Sequence, residues 1–358
     1  MLAFGLIPLN QPQSPVTATE KRSRWVRPLD VPPGHWKKQL SGKLRELTIR
    51  GKLDQLKQVI AADPSLLNKR GSHGRTFLFE AVRKNRLETV MWLLERGADV
   101  QLTGCYNSES IVQLDPLTAA SYYGRERLIE PLRDYGAQRD VFRAAFLGDI
   151  DSVNGFLRKN PELLNAEDPN DDIYYTPLVS FCVAGGQLEL LNDMFDRGAQ
   201  LLGYDAQLLF IAARVGNTSI LVYLLDQGVS PTSSDATLWM ATSSMEDLKL
   251  LVKSGLSPNQ RPYHGLHPLM YACRADKTLD IPKARYLIEL GADVNAVGPQ
   301  GRTALHYAAR GGTTELCELL LVAGADETVT DKEGRTPLDI AQQYDKTAVE
   351  QLLTGRTA

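Results

Sequence analysis

The chain has 358 residues, with 40 basic and 43 acidic side chains and a formal net charge of −3. So even a balance excludes a generally basic nucleic-acid binder and a strongly acidic mimic alike, and by itself it selects no class of partner. No run approaches the ~18 apolar residues of a membrane-spanning helix, and the apolar start at residues 1–8 lacks the basic lead and the small-residue cleavage site of a secretory signal.

Residues 1–39 form a Pro-rich basic arm. Pro8, Pro12, Pro15, Pro28, Pro32 and Pro33 break any helix, and Lys21, Arg22, Arg24, Arg27, Lys37 and Lys38 surround Trp25 and Trp36. Two readings are open: the tryptophans cover the exposed end of the unit that follows, or the arm is a partner-binding peptide.

From residue 40 to 355 the apolar residues fall at helical spacing in short runs, and none alternates as a strand would. Helix pairs are predicted to begin near Lys43, Gly74, Asp115, Asp140, Tyr175, Asp205, Asp235, Gly265, Gly301 and Gly334, about ten in all. Turn glycines set the steps between them. Gly97 to Gly136 is 39 residues, an excess that falls in Thr103 to Leu114, and Gly255 to Gly291 is 36, with its surplus near Asp276 to Pro282. Both excesses are read as loop insertions. Glu167, Asp168, Asp171 and Asp172 share a loop with Pro169 and Asn170 and are read as a solvated hairpin tip. The units at Asp140, Asp205 and Asp235 lack the Thr-Pro start seen elsewhere, and Gly228 to Gly255 is only 27 residues, so the middle of the chain is the least regular part.

The last units are the clearest. Gly301-Arg302-Thr303-Ala304-Leu305-His306-Tyr307-Ala308 returns 33 residues later as Gly334-Arg335-Thr336-Pro337-Leu338-Asp339-Ile340-Ala341, and Gly291-Ala292-Asp293 returns as Gly324-Ala325-Asp326 at the same step. Thr336 is placed to cap a helix, Pro337 suits its first position, and Leu338 with Ala341 forms the apolar stripe. A second helix is predicted from about Thr314 to Val322, with Leu316, Leu319 and Leu320 on one face and Gly324 just past its end. Two-turn helices do not stand alone in water, so stability must come from stacking.

These strings resemble the ankyrin repeat: "GRTALHYAARGG", "GADVNA", "EGRTPLDIA" and "YTPLVSFCVAGG" carry the likeness, with weaker copies around Gly74-Arg75-Thr76 and Asp115-Pro116-Leu117. The resemblance covers roughly residues 40–355 and implies an all-α solenoid of about ten stacked helix pairs joined by short hairpin loops. It assigns His306 an inter-repeat hydrogen bond. It also implies that the two residues ending each inner helix, and those beside the turn glycine, point into a concave groove open to a partner. Carried over residue by residue, the inner-helix ends are Arg83, Lys84, Tyr122, Tyr123, Arg214, Arg274 and Arg310, and the finger positions add Tyr174, Tyr175, Tyr263, His264 and Arg302. Phe146, Leu147 and Val215 share the inner-helix position, and belong to the core wherever the irregular units pack unevenly.

Chemistry finds little footing in the sequence. There is no phosphate loop, no nucleophile elbow and no His-Glu-x-x-His, and His264, His267 and Cys273 match no zinc spacing. Cys105, Cys182, Cys273 and Cys317 are unpaired in spacing and read as reduced thiols, which suits a cytoplasmic location. The expected function is a non-catalytic scaffold without a cofactor, monomeric when unbound, that recognises another protein or peptide as an inhibitor, immunity-type or effector protein. The alternative is nucleic-acid binding through the Arg/Tyr-lined groove. Tyr and Arg favour the protein partner.

Overall fold

The computed structural model describes residues 42–106, 112–170, 176–201, 203–233, 236–242, 244–260, 265–274 and 280–355, and the predicted arm lies outside them. Among the described residues, twenty α-helices follow one another as ten pairs. The inner helices are α1 (Gly42–Ile49), α3 (Phe77–Arg83), α5 (Pro116–Tyr122), α7 (Val141–Leu147), α9 (Leu178–Gly185), α11 (Asp205–Val215), α13 (Ala236–Ala241), α15 (Pro268–Ala272), α17 (Ala304–Gly311) and α19 (Pro337–Gln343). Their outer partners are α2 (Leu53–Ala62), α4 (Leu87–Glu95), α6 (Ile129–Asp134), α8 (Ile150–Lys159), α10 (Leu188–Asp196), α12 (Thr218–Asp226), α14 (Met245–Lys253), α16 (Ile281–Glu289), α18 (Thr314–Val322) and α20 (Thr347–Thr354). Each helix packs within its own pair or on an adjacent pair, which makes the chain a linear stack. Among the described residues, extended pairing is limited to one antiparallel ladder, β1 (Gly104–Cys105) with β2 (Gln113–Leu114), and a single bridge between Glu167 and Pro177.

Side-chain caps start several of the inner helices. The Thr76 hydroxyl accepts from the Phe79 amide at 3.2 Å, and Thr336 accepts from Asp339 at the same distance. At two other inner helices an aspartate does the same: Asp140 accepts from the Arg143 amide at 2.9 Å, as Asp115 does from Thr118, whereas α11 follows Tyr204 with no side-chain cap. A cap of this kind stabilises a helix by about 1 kcal/mol. Outer helices then bury a narrow apolar stripe, for example Val90, Leu93 and Leu94 on α4 or Leu316 and Leu320 on α18. Each such side chain contributes about 1.5–3 kcal/mol when fully buried, and here the burying surface comes from the inner helix of the same pair together with the adjoining units.

The Gly-Ala-Asp marker has a physical reason. Gly291 and Gly324 take φ values of 84° and 90°, open to glycine, and Asp293 and Asp326 fold back to accept from the amides of Asn295 and Thr328. An asparagine of the preceding unit then reads the turn. Asn259 Oδ1 accepts from the Asp293 amide at 2.8 Å while its Nδ2 donates to the Gly291 carbonyl at 3.0 Å, and Asn295 does the same to Asp326 and Gly324 at 2.8 and 3.0 Å. Asn68 meets Asp99, and Asn165 meets Gln200, through the same amide bond at 2.8 and 2.7 Å. The last unit closes with polar contacts instead, Gln342 to Glu350 and Arg335 to Gln343.

The tightest approach in the stack lies between α7 and α9. A methyl group built on Gly185 would sit 1.9 Å from the Phe146 carbonyl oxygen, so the two backbones leave no room for a side chain. Gly155, in the middle of α8, has nothing within 4 Å of the same position. Gly185→Ala is expected to destabilise the protein by at least about 1–3 kcal/mol through overpacking, while Gly155→Ala stabilises it by roughly 0.5–1 kcal/mol through helix entropy. Urea unfolding of the two variants checks the opposite signs.

Candidate functional site

The site is built on α3, α5 and the insertion between the second and third units. In α3 a glutamate interrupts the apolar run Phe77-Leu78-Phe79-Glu80-Ala81-Val82, and its side chain is fully buried. Three arginines hold it. Arg45 from α1 reaches Oε1 at 3.0 Å, Arg75 lies 3.6 Å from the same oxygen, and Arg83, one turn on, reaches Oε2 at 2.7 Å. A buried carboxylate is tolerated only with such partners. Arg75 also donates to the Cys105 carbonyl at 2.7 Å, which ties the β1–β2 hairpin to the cluster, and burial lowers its guanidinium pKa.

The hairpin positions an aromatic group. Tyr106, buried just after β1, lies 5.2 Å edge-on to Tyr122 and 5.3 Å from Phe146, and Tyr122 is 5.0 Å from Tyr123 and 5.4 Å from Phe146. Such pairs each add about 0.5–1.5 kcal/mol beyond their buried area. The Tyr123 hydroxyl donates to the Tyr106 carbonyl, and burial raises its pKa while the charges of Arg75 and Arg83 pull the other way. Tyr122 keeps 48% of its surface exposed on top of this group. The result is an aromatic platform, supported from beneath, next to Arg83 and the exposed Lys84 at the end of α3.

The remaining candidates are scattered along the stack. Arg214 is half-buried with its pKa lowered by desolvation, its neighbour Val215 is 41% exposed, and Arg274 is half-buried just beyond α15. Arg302 is engaged within the protein, 3.3 Å from Asp331 and 3.6 Å from Glu333. Arg310 lies over the Tyr344 ring at 5.0 Å from its centroid. Tyr174, Tyr175, Tyr263 and His264 lie outside the described residues. Phe146 is core, under Tyr106 and Tyr122, and Leu147 is half-buried.

One expectation is corrected. Residues 167 and 168 are not a solvated tip: Asp168 is buried and takes both terminal nitrogens of Arg143 at 2.8 Å, while Tyr204 donates to Glu167 at 2.5 Å. Arg143, itself buried, also pairs with Asp140 at 3.0 Å and stands 5.3 Å over Phe181. Burial works against its charge, but the aspartates outweigh it and raise its pKa. Asp171 and Asp172 lie outside the described residues.

His306 joins the last two units as the resemblance implies. Its Nε2 lies 3.1 Å from the Arg335 carbonyl and its Nδ1 accepts from the Thr303 amide at 3.2 Å, an arrangement that only the neutral ring satisfies. All four cysteines are buried free thiols, and burial pushes Cys317 up to about 12 and Cys182 and Cys273 still further up. Among the described residues no helix is long and apolar enough to cross a membrane.

A stack of helix pairs with hairpin loops, joined by turn-reading asparagines and a histidine at the capping position, defines a repeat solenoid. The family description "Ankyrin repeats (3 copies)" matches residues 209–297, 238–331 and 280–357, and "Ankyrin repeat" matches 73–104. The chain belongs to the ankyrin repeat family, whose repeats serve protein–protein interaction. It is 26% identical over 310 residues to ankyrin repeat protein nuc-2 of Neurospora crassa, covering 82% of this chain and 28% of that protein. A putative ankyrin repeat protein of Acanthamoeba polyphaga mimivirus, L271, is 39% identical over 79 residues, 22% of this chain and 11% of its own length. The p105 subunit of nuclear factor NF-kappa-B from Gallus gallus is 29% identical over 240 residues, 57% of this chain and 24% of that protein. The chain thus spans less than a third of the length of these relatives.

His306 makes the last junction pH-sensitive. Burial lowers its pKa below the ordinary 6.5, so in the unfolded chain it takes up a proton at higher pH than in the folded one. Stability from this group is present above 6.5 and is lost as pH falls through that value toward the folded pKa. Between neutral pH and mild acid, the melting temperature of the native protein should therefore fall more steeply than that of His306→Gln, as followed by circular dichroism.

Proposed function

We propose that this chain is a non-catalytic binding protein that holds a partner protein or peptide over the inner-helix ends of its second and third units. The carrying observation is the Tyr122 ring, half-exposed yet braced on Tyr106, Tyr123 and Phe146, with Arg83 and Lys84 alongside. A pre-ordered aromatic anchor loses little entropy on binding, and aromatic and arginine side chains dominate binding energetics at protein interfaces. Occupying a partner's surface in this way suits inhibition or localisation of that partner. The buried free thiols support a reducing compartment such as the cytoplasm.

The nucleic-acid reading needs a continuous track of cations. Arg143 is buried between two aspartates, Arg302 is held by Asp331 and Glu333, and Arg310 lies on Tyr344, which breaks that track. These three pairings favour the protein partner.

The test is a single substitution measured against a partner recovered by affinity capture and mass spectrometry. Tyr122→Ala is expected to weaken binding at least tenfold, which corresponds to about 1.4 kcal/mol, with a stability loss of about 1 kcal/mol from its lost ring contacts. Glu318→Ala, exposed on α18, should leave affinity unchanged. Unchanged affinity for Tyr122→Ala moves the site to the fingers around Tyr174, Tyr175 and Tyr263 or to the N-terminal arm.

A further inference from the structure

Among the described residues, the Glu80 cluster holds more positive than negative charge. Arg75 and Arg83 both lean on this one carboxylate, with Arg45 on the same group, and the exposed ammonium of Lys84 follows directly on Arg83. The acid nearest in the chain to Arg45, Glu46, is engaged by Arg50 at 2.9 Å. Asp115, at the start of the neighbouring inner helix, is buried and bonded to Thr118 at 2.7 Å, and it is Arg143 whose charge acts on it. Among the described residues, even without Arg45, two arginines share this one carboxylate and the exposed Lys84 adds a third cation at the end of the same helix. Arg83 is only 22% exposed, so its charge is screened less than that of a free surface side chain.

We infer that the patch formed by Arg83, Lys84 and Tyr122 is a subsite for an acidic peptide segment, in which an Asp or Glu carboxylate meets Arg83 and Lys84 while an adjacent apolar side chain lies on Tyr122. This rests on the groove reading above and adds to it the chemistry of the partner. Charge complementarity selects the occupant. The cluster already binds one carboxylate between guanidinium groups, and a second, brought by the partner, offsets the remaining positive charge through charge-assisted hydrogen bonds. The positive patch is also short. At the next inner-helix end Phe146 is buried and Leu147 half-buried, and Arg143 of the same helix is buried in its ion pairs, so the patch offers a peptide one or two anionic contacts and gives a polyphosphate no path.

A random-peptide phage library selected on the full chain tests this, with the selected peptides then synthesised and measured by fluorescence anisotropy. Selected sequences should be enriched in Asp or Glu beside an aromatic or aliphatic residue. Replacing that acid by its amide should weaken binding about tenfold or more, and Lys84→Glu, a change at an exposed position, should weaken the acidic peptide and no longer distinguish it from its amide form. Arg83→Gln, with folding checked by circular dichroism, should act in the same direction. Peptides that require Tyr122 but show no preference for acid over amide overturn the inference and leave the groove reading standing. Recovery of no Tyr122-dependent peptide overturns both. Tighter binding of a labelled oligothymidylate than of any acidic peptide, lost in Lys84→Glu, overturns the carboxylate assignment in favour of phosphate.

Discussion

Every other feature of this protein follows from one constraint: a pair of two-turn helices cannot bury its own apolar stripe. Leu316 and Leu320 on α18, and Val90 and Leu93 on α4, are buried between their own inner helix and the adjoining units. Stacking is therefore obligatory, and it must occur in one register. Burial alone is non-directional, so the register comes from bonds that cross each junction. Asparagines 68, 165, 259 and 295 read the turn of the following unit, and His306 reaches the Arg335 carbonyl across the last one. At the starts of outer helices, Arg86, Arg127 and Lys283 donate back to the carbonyls of Ile49, Asn85 and Thr242, groups near inner-helix ends that lack partners within the helix.

Buried charge adds a second layer of specification. Glu80 with its arginines, Arg143 with Asp168, and Asp331 with Arg302 each span a junction between units. Ion pairs of this kind stabilise little relative to well-packed apolar residues, yet leaving one member alone costs several kcal/mol. At Asp331, burial penalises the carboxylate, but the Arg335 amide and the guanidinium groups of Arg302 and Arg335 outweigh it and keep the pKa low. What the stack leaves open includes the surface at the inner-helix ends, and there the second and third units present cations and tyrosines together.

Much of the fold was legible because its signals are local and repeat. The outer helix expected from about Thr314 to Val322 has those ends, Thr336 and Pro337 start α19, and the ten starts read from the sequence each correspond to a helix pair. Asp140 was harder: its cap replaces the Thr-Pro signal with different chemistry. The site was legible only as positions. That Tyr122 and Tyr123 end one inner helix and Arg83 and Lys84 the one before follows from the repeat, but Tyr106 sits in an insertion whose path no periodicity describes. Glu80 was overlooked, although a carboxylate inside Phe-Leu-Phe-Glu-Ala-Val is itself a signal that cations must converge there. The run at residues 167–168 was misread for the complementary reason. A cluster of acids resembles a solvated loop until Arg143, 25 positions away from Asp168, is seen beneath it.

The account's central claim is that partner binding uses the inner-helix ends of the second and third units and leaves the outer helices free. Hydrogen exchange followed by mass spectrometry, with and without the bound partner, addresses it directly. Binding should slow exchange in residues 77–84, 103–106 and 116–123, while α4, α6 and α8 exchange at their unbound rates. Protection on those outer helices, with none at the ends of α3 and α5, would contradict the account.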